Sequence, residues 1–590
     1  GNFTFESETQ IGDDAANTLT AAQGAASVDI LIGAQGDDIL VGDGGSDVLK
    51  GGEGDDTLAV PTTDFQRLLG GNGFDTLRLD GAGIALDLTS VSDNKIVDIE
   101  QIDMTGAGDN TLTLDLLEVL NISSHSNTLI VKRDAGDTVN QGGGWTQQAD
   151  ELIDGDIFNV FTQGAAELLV QSVATNPSII DLSTLDGVNG FRVDGADRYD
   201  NSGCSVSSAG DVNGDGYDDI IIGTIYYDIR YPKAGKSYIV FGQPSGFSSA
   251  LDLSTLDGVN GFRLDGINEG DEFGFSVSSA GDINADGIDD LIIGADEAEH
   301  RGQSSAGEAY VVFGHTGEFS ASLDISTLDG ANGFRLEGYE KDSRTGFSVN
   351  SAGDVNGDGL ADMIIGTNSG NTYKGKSFIV FGRSEAYPAS LPLYALDGSN
   401  GFQVEGLDSR DHFGSSASSA GDINSDGFDD LIIGAYDAFS LSGDAYVGET
   451  FVILGHSGDF TPKIDLLTLD GSNGFRLDGI DDRDNSGLSV SSAGDFNGDG
   501  FDDMIIGAVN ANPNDTTYAG ESYLVFGSSE AFSASLNLAS LNGTNGFQIN
   551  GINENDRLGG CVSSAGDVNG DGFDDLFLGA PYVQLNDKAS

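Results

Sequence analysis

The sequence predicts an all-β protein built from repeats, and three observations support this prediction. A nine-residue pattern, Asp-x-Asn-x-Asp-Gly-x-x-Asp, occurs six times between residues 211 and 575. Residues 24–59 divide into consecutive nonapeptides rich in glycine and aspartate. Apolar runs of strand length, bounded by glycines, lie between the repeated patterns. With 88 glycines and 9 prolines, the composition favours many turns between short strands over disorder.

The charge balance limits the classes of partner. The formal net charge is −71, from 96 acidic and 25 basic residues, and such a surface repels nucleic acid and anionic lipid. No run of about 18 apolar residues is present, so no membrane insertion is expected. Two cysteines, Cys204 and Cys561, are too few for a disulfide framework.

The N-terminal nonapeptides keep aspartate at position 6 and leucine at position 8. Clear copies start at Gly33, Gly42 and Gly51, a poorer copy precedes them, and an isolated copy covers residues 70–77. A flexible linker has no reason to hold leucine in register, whereas stacked turns would pack it into a thin core. The pattern resembles the RTX calcium repeat, which implies a parallel β-roll over residues 1–77. By that resemblance, the calcium ligands of the roll are Asp29, Asp38, Asp47 and Asp56.

Residues 78–163 are predicted to form a small β module, because alternating runs such as Thr111-Leu-Thr-Leu-Asp-Leu recur there. The phrases Ile99-Glu100-Gln-Ile-Asp103 and Gly144-Trp145-Thr resemble modules that follow RTX repeats in large bacterial adhesins. Trp145, the single tryptophan, is expected to be a packing residue. The RTX resemblance further implies a bacterial protein exported by a type I system, with folding triggered outside the cell by calcium.

Residues 164–590 repeat one unit of four short strands around each aspartate loop. In the second copy an outer segment (256–266) precedes a strand (273–281), the loop (282–290), an apolar strand and a final strand (309–314). Four short strands per unit are typical of a propeller blade. Phe273-Gly274 and Gly294-Ala295, with the loop between them, resemble the FG-GAP repeats of the integrin α-subunit. That resemblance implies an FG-GAP β-propeller.

Each aspartate loop is a predicted calcium site. Oxygen side chains at positions 1, 3, 5 and 9, a turn glycine at 6 and a carbonyl at 7 suit calcium better than the smaller magnesium ion. The predicted side-chain ligands are Asp211, Asn213, Asp215, Asp219, Asp282, Asn284, Asp286, Asp290, Asp354, Asn356, Asp358, Asp362, Asp422, Asn424, Asp426, Asp430, Asp495, Asn497, Asp499, Asp503, Asp567, Asn569, Asp571 and Asp575. The predicted carbonyl ligands are those of Tyr217, Ile288, Leu360, Phe428, Phe501 and Phe573.

Two other interpretations of these loops fit less well. An EF-hand needs a glutamate at position 12 and a following helix, but position 12 is isoleucine or leucine inside a strand-like run. An acidic turn whose aspartates bond their own backbone would not require an ion. Position 8 is aspartate in five loops but Ala361 in the third, which indicates a role other than ligation.

The count of parts suggests how the ring closes. Six outer segments and six loops accompany only five Tyr-Val-Val-Phe-Gly-type strands. We therefore expect residues 164–195 to supply two outer strands to the last blade, which gives six blades, with seven as the alternative. Cys204 and Cys561 would then lie in neighbouring blades, either bridged or, as favoured, as two buried thiols.

The predicted function is non-enzymatic. The five histidines have no zinc-binding spacing, and neither a nucleophile elbow nor a phosphate loop is present. We expect a secreted, calcium-binding cell-surface protein that attaches to an extracellular protein or glycan ligand through an integrin-like propeller. The alternatives are a self-assembling subunit of a surface layer, sheath or filament, and a non-catalytic part of an extracellular hydrolase.

Overall fold

The computed structural model forms two compact units, Gly1–Asp181 and Leu182–Ser590. The structure describes residues 9–13, 15–21, 28–42, 44–92, 94–105, 108–123, 126–134, 136–148, 151–153, 156–172, 182, 185, 187, 190–197, 200–225, 234–244, 246–368, 374–440, 445–568 and 572–582.

The first unit contains eighteen described strands and one short α-helix. The strands are β1 (Thr9–Ile11), β2 (Thr18–Thr20), β3 (Ile30–Gln35), β4 (Ile39–Val41), β5 (Val48–Glu53), β6 (Thr57–Val60), β7 (Arg67–Asn72), β8 (Thr76–Leu79), β9 (Ala85–Asp87), β10 (Ile96–Val97), β11 (Gln101–Asp103), β12 (Thr111–Thr113), β13 (Thr128–Lys132), β14 (Thr138–Asn140), β15 (Thr146–Gln147), β16 (Glu151–Ile153), β17 (Asp156–Gln163) and β18 (Ala166–Gln171). Helix α1 (Leu116–Ile122) is capped by Asp115, whose side chain accepts a hydrogen bond from the Leu117 amide. A 3-10 turn covers Leu88–Ser90.

The nonapeptides form a parallel roll with two repeats per coil. One sheet has the order β1-β3-β5-β7-β10, and the other contains the run β2-β4-β6-β8. Leu31 pairs in register with Leu49, and Leu40 with Leu58. These position 8 leucines are fully buried, so the predicted thin leucine core is present.

The middle residues continue the second sheet of the roll. Strand β8 pairs with β11, β11 with β13, and β13 with β18, all in parallel, while β14-β12-β9 form a third sheet. Strand β17 pairs antiparallel with β18. Trp145 packs partly buried against the core of this unit, and its indole N–H donates a 2.6 Å hydrogen bond to the Gln141 carbonyl.

The second unit contains the remaining described strands. They are β19 (Arg192–Asp194), β20 (Ser205–Gly210), β21 (Asp219–Thr224), β22 (Lys236–Val240), β23 (Ala250–Asp252), β24 (Gly261–Asp265), β25 (Val277–Gly281), β26 (Asp290–Ala295), β27 (Glu308–Val312), β28 (Ser322–Asp324), β29 (Gly333–Glu337), β30 (Ser348–Gly353), β31 (Asp362–Gly366), β32 (Lys376–Val380), β33 (Ser390–Pro392), β34 (Gly401–Glu405), β35 (Ala417–Gly421), β36 (Asp430–Ala435), β37 (Glu449–Ile453), β38 (Lys463–Ile464), β39 (Gly474–Asp478), β40 (Ser486–Gly494), β41 (Asp503–Ala508), β42 (Glu521–Val525), β43 (Ser535–Asn537), β44 (Gly546–Asn550), β45 (Cys561–Gly566) and β46 (Asp575–Gly579). Short 3-10 turns cover Leu253–Thr255, Ile325–Thr327, Leu393–Ala395, Leu466–Thr468, Pro513–Asp515 and Leu538–Ser540.

Four antiparallel strands form each complete blade, as the sequence predicts, and a fifth strand joins the outer edge of most of them. The first blade has the order β20-β21-β22-β24, and β28 pairs in parallel with β24. Strand β28 belongs to the following repeat, since it lies along the chain between β27 and β29, the third and fourth strands of the second blade. The strands that occupy this position, which we call clasp strands, are β23, β28, β33, β38 and β43.

Neighbouring blades pack through apolar faces. Ile221 and Ile239 of the first blade form one buried cluster with Val277 and Ile293 of the second. Burial of a side chain of this size contributes about 1.5–3 kcal/mol relative to leaving it exposed. The blade interfaces are therefore a main source of stability in this unit.

The ring closure predicted from residues 164–195 is wrong in its first strand. Both edges of β18 are occupied within the first unit, by β13 and β17. Strand β19 pairs with clasp strand β23 in the same register as β24 with β28, so it is equivalent to a fourth strand. Strands β45 and β46 form a two-stranded sheet among the described residues.

The two cysteines are exposed and not buried as predicted. Cys204 and Cys561 are both free thiols on exposed residues. The favoured interpretation as buried thiols is therefore wrong, and the two sulfurs are not bridged. Cys204 directly precedes β20 and Cys561 begins β45; they lie at the first and last sheets, where Val206 and Phe577 are also exposed although their equivalents Val277 and Ile505 are buried.

Glu449 is a buried carboxylate whose titration should be visible in the stability of this unit. Its side chain lies 3.6 Å from the Arg476 guanidinium, which also pairs with Asp478. Burial raises the pKa of Glu449 to about 7, although Arg476 opposes the shift. A raised folded pKa means that the folded state favours protonated Glu449. The contribution of this protonation to the free energy of unfolding is therefore complete below about pH 4.5 and is lost as pH rises through 7.

We predict that Glu449→Gln becomes more stable relative to the parent protein as pH rises from 4.5 to 8, by about 3 kcal/mol. Urea unfolding in calcium at several pH values measures the difference. Glu405→Gln is the control: burial alone would raise the pKa of Glu405, but the hydrogen bond from Lys463 and the charges of nearby lysines together lower it. That variant should lose stability relative to the parent as pH rises toward 4.5 and should change little relative to it between pH 4.5 and 8. Parallel pH profiles for the two variants would contradict the assignment.

Candidate calcium sites

The six aspartate loops connect the first two strands of their blades. In the second loop both carboxylate oxygens of Asp282 accept backbone hydrogen bonds, from Asp286 N at 3.1 Å and Gly287 N at 2.9 Å. The Asp286 carboxylate accepts one from Ile288 N at 3.0 Å. Gly287 has a φ of 83°, a conformation that favours glycine. These bonds fix the turn that brings positions 1, 5 and 7 together.

Position 9 lies beneath each loop at the start of the second strand. Asp290 is fully buried, and its carboxylate accepts hydrogen bonds from Ile283 N at 3.2 Å and Gly314 N at 3.0 Å. One side chain therefore ties the loop to the end of the third strand. The corresponding buried residues in other loops are Asp219, Asp362, Asp430 and Asp503.

The charge of position 9 calls for a cation. Burial raises the pKa of Asp290 to about 8, and the charges of Asp286 and Asp282 add to this shift. The same causes raise the pKa of Asp362 and Asp430 to about 8 and of Asp219 and Asp503 to about 7. A divalent ion among these oxygens would remove the repulsion between carboxylates. The donor set of carboxylate, amide and carbonyl oxygens therefore fits calcium.

Within the described residues, the predicted ligand side chains of a loop do not surround one common point. No three histidine, cysteine, aspartate or glutamate side chains converge as ligands in the part of the chain that the structure describes. In the second loop, the Asn284 amide nitrogen donates to Asp290 at 3.1 Å. An ion would require the oxygen of that amide to turn inward. Asn569 and Asp571 of the sixth loop lie outside the described residues. Position 12 of every loop lies in a strand and not in a helix, which agrees with the exclusion of an EF-hand.

Position 8 links one loop to the next. The Asp289 carboxylate accepts a 3.0 Å hydrogen bond from the Asp211 amide of the preceding loop, and Asp429 accepts one of 2.7 Å from Asp354. Asp502 and Asp574 form the same bond with Asp422 and Asp495. Where Ala361 stands, only the backbone bond from its amide to the Asp282 carbonyl remains, at 3.2 Å. This residue thus joins neighbouring blades without being needed as a ligand.

Substitutions at positions 8 and 9 of the fourth loop should separate the role in joining blades from the role in binding calcium. We predict that Asp430→Asn binds one calcium ion fewer, because it removes a ligand charge. Asp429→Ala should keep the ion count of the parent and lose about 1–2 kcal/mol, because it leaves the part-buried Asp354 amide unpaired. Native mass spectrometry in calcium counts the ions, and urea unfolding measures the loss. An unchanged ion count in Asp430→Asn would contradict the ligand set.

In the roll, the position 6 aspartates form a ladder between coils. The Asp29 amide donates to Asp47 Oδ1 at 2.9 Å, and the Asp38 amide to Asp56 Oδ1 at 2.8 Å. Asp29, Asp38, Asp47 and Asp56 are all buried. The second oxygens of Asp38 and Asp56 are buried with no hydrogen-bond partner among the described residues.

Glycine leaves the space into which these second oxygens point. A β-carbon on Gly51 would lie 2.2 Å from Asp56 Oδ2 and 2.6 Å from the Gly70 carbonyl oxygen of the next coil. On Gly33 it would meet Asp38 Oδ2 at 2.2 Å and the Gly51 carbonyl at 2.8 Å. An unpaired carboxylate oxygen beside a carbonyl oxygen is a fitting pair of ligands for calcium.

The ladder extends beyond the predicted ligands. Asp75 Oδ1 accepts a 2.9 Å hydrogen bond from the Asp56 amide, and Glu100 accepts one of 3.0 Å from the Asp75 amide. Asp75 could have been found, because it is position 6 of the isolated nonapeptide at residues 70–77. Glu100 has no such signal, since its coil lacks the nonapeptide pattern.

Comparison with known proteins identifies both repeat types. The FG-GAP repeat family matches residues 205–240, 273–312, 346–380, 413–453, 486–525 and 562–588. The RTX calcium-binding nonapeptide repeat, in four copies, matches residues 23–58. These matches confirm the FG-GAP and RTX resemblances and support calcium as the bound ion, since both are calcium-binding repeat types.

Curated relatives share parts of the chain. It is 35% identical over 173 residues to integrin alpha pat-2 of Caenorhabditis elegans, covering 29% of this chain and 13% of the relative. It is 29% identical over 246 residues to integrin alpha-5 of Xenopus laevis, covering 41% and 20%. It is 26% identical over 331 residues to phosphatidylinositol-glycan-specific phospholipase D of Dictyostelium discoideum, covering 52% and 31%. The chain thus spans less than a third of the length of each of these relatives.

The two repeat types together indicate an extracellular protein of adhesion type. Among the described residues no helix has the length and apolar character to cross a membrane.

Proposed function

We propose that this protein is a secreted, non-enzymatic surface protein of a bacterium that attaches to an extracellular protein or glycan through its calcium-stabilised propeller. The observation that carries the proposal is the recurrence of a buried position 9 aspartate beneath the aspartate loops. In the second blade, Asp290 joins the loop to the end of the third strand. Calcium at such sites holds the blades rigid only where the ion is abundant, as it is outside cells.

The proposed attachment surface is the propeller, because the FG-GAP repeats, which the integrin relatives support, lie in this part of the chain. Its acidic surface favours ligands that are neutral or basic, since like charges repel at close range. Calcium would act on attachment indirectly, by ordering the loops that border the surface. The proposal therefore predicts that binding and folding share one calcium dependence.

A second candidate is self-assembly into a layer or filament. Val206 of the first blade is 63% exposed, whereas the equivalent Val277 is 4% exposed. Phe577 of the last sheet is 66% exposed, and the equivalent Ile505 is fully buried. Apolar faces of this kind favour association with a second surface.

A third candidate is part of an extracellular hydrolase. The similarity to phosphatidylinositol-glycan-specific phospholipase D favours it. In that case the propeller would serve as a binding region beside a separate catalytic region.

One set of experiments on the full chain separates these candidates. Immobilised matrix proteins and glycans are probed in calcium and in EGTA, while light scattering follows the oligomeric state. Saturable, calcium-dependent binding by a monomer is the expected result. Calcium-dependent polymerisation without ligand binding would favour the structural role, and hydrolysis of a phosphodiester substrate would favour the third candidate. Absence of binding both to the immobilised proteins and to the immobilised glycans would overturn the adhesive proposal.

A further inference from the structure

The aspartate ladder of the roll ends in a coil that supplies an additional pair of oxygens. Asp75 is fully buried, and its Oδ1 accepts the amide bond from Asp56 at 2.9 Å. Its Oδ2 is buried and has no hydrogen-bond partner among the described residues. This arrangement repeats that of Asp38 and Asp56 one coil further along.

The partner oxygen comes from outside the nonapeptides. A β-carbon on Gly70 would lie 2.5 Å from Asp75 Oδ2 and 1.8 Å from the Asp98 carbonyl oxygen. At Gly51 the corresponding oxygens are Asp56 Oδ2 and the Gly70 carbonyl. The Asp98 carbonyl thus takes the place that a glycine carbonyl of the next repeat holds in the preceding coil.

The backbone at Asp98 is adapted to this position. Asp98 has a φ of 55°, a left-handed conformation that aspartate adopts more readily than most residues. It directly follows β10, which pairs in parallel with β7 and so continues the stack of coils. Glu100 then accepts the Asp75 amide bond at 3.0 Å, as the next aspartate does elsewhere in the ladder.

We propose that Asp75 Oδ2 and the Asp98 carbonyl form a further calcium site, half of which lies outside the RTX repeats. A buried carboxylate oxygen without a hydrogen-bond donor requires a cation or a proton. The adjoining Asp98 carbonyl oxygen would either accept a hydrogen bond from the protonated carboxyl or serve as a second oxygen ligand to calcium, and the same pair of oxygens recurs at Asp56 and Gly70 in the preceding coil. The site lies beyond residues 23–58, where the repeat family matches.

The opposite end of the ladder lacks this charge. Asn17 occupies the ladder position there, and its Oδ1 accepts a hydrogen bond from the Asp13 amide at 2.8 Å. A neutral amide whose oxygen is already bonded needs no ion. The charged ladder is therefore extended only toward the coil that contains Asp98.

Crystals of the full chain grown in calcium and soaked with terbium test the site directly. An anomalous peak about 2.4 Å from both Asp75 Oδ2 and the Asp98 carbonyl oxygen is expected. Ordered density for both oxygens without such a peak would overturn the proposal.

Native mass spectrometry in calcium gives an independent count. Asp75→Asn should bind one ion fewer than the parent, whereas the control Asp64→Asn, which removes an exposed charge in the same coil, should bind the same number. An unchanged count in Asp75→Asn contradicts the site. If Asp75→Asn loses several ions because the roll unfolds, the terbium peak in the parent crystals decides.

Discussion

Removing calcium should lower the melting temperature of the propeller unit by on the order of 10 °C or more. An ion bound only by the folded state contributes about 3 kcal/mol at a hundredfold excess over its dissociation constant. Without ions, buried carboxylates such as Asp290 and Asp362 lie beside two further aspartates of their own loops. This repulsion loosens each loop. Because neighbouring blades share apolar interfaces, the blades should lose stability together.

Calorimetry in calcium, in EGTA, and in EGTA with excess magnesium measures this effect. Magnesium should restore little of the loss, because it tolerates a mixed carbonyl and carboxylate site poorly. Refilling with calcium is the control for reversibility. Equal melting temperatures in calcium and EGTA would contradict calcium binding by the loops.

Replacing Gly52 by alanine should disrupt the roll. A β-carbon there would lie 2.2 Å from the Ala34 carbonyl oxygen of the preceding coil, and Gly52 has a φ of 136°. Neither backbone can move away without separating β3 from β5, which pair at these residues. We expect a loss of about 3 kcal/mol or more from strain and clash together.

Gly83→Ala is the matched control. Gly83 also has a positive φ, 72°, but a β-carbon there would have no neighbour within 4 Å. It should cost about 1 kcal/mol, which is the conformational term alone. Hydrogen exchange of residues 28–60 in calcium compares the two variants. Equal protection in both would show that the close stacking of coils is not required.

The sequence predicts the loops and blades well because their determinants are local. Asp282 and Gly287 specify a turn within six residues, and the apolar residues that follow pack on both faces of a strand. The leucine period of the roll works in the same way. In these segments each residue type is required by its own coil or blade.

Closure of the ring depends on pairing between distant strands, which no local pattern encodes. Gly164 lies two residues before the start of β18, much as a glycine directly precedes the third strand of each blade, yet the edges of β18 pair with β13 and β17. The sequence therefore suggested the wrong partner for a correctly placed strand. Glu100 and Asp98 were missed for a related reason, since their roles arise from stacking on Asp75 and Gly70.

Because of the clasp strands, one repeat of the sequence does not correspond to one sheet of the structure. A segment running from the first strand of one blade to the first strand of the next encodes one blade and also the outer edge strand of its predecessor. Duplication or exchange of such a segment would carry a mismatched edge into the neighbouring blade unless that neighbour kept a compatible fourth strand. Natural variants of repeat number are therefore expected to gain or lose blades together with the outer strand that each one adds to the blade before it.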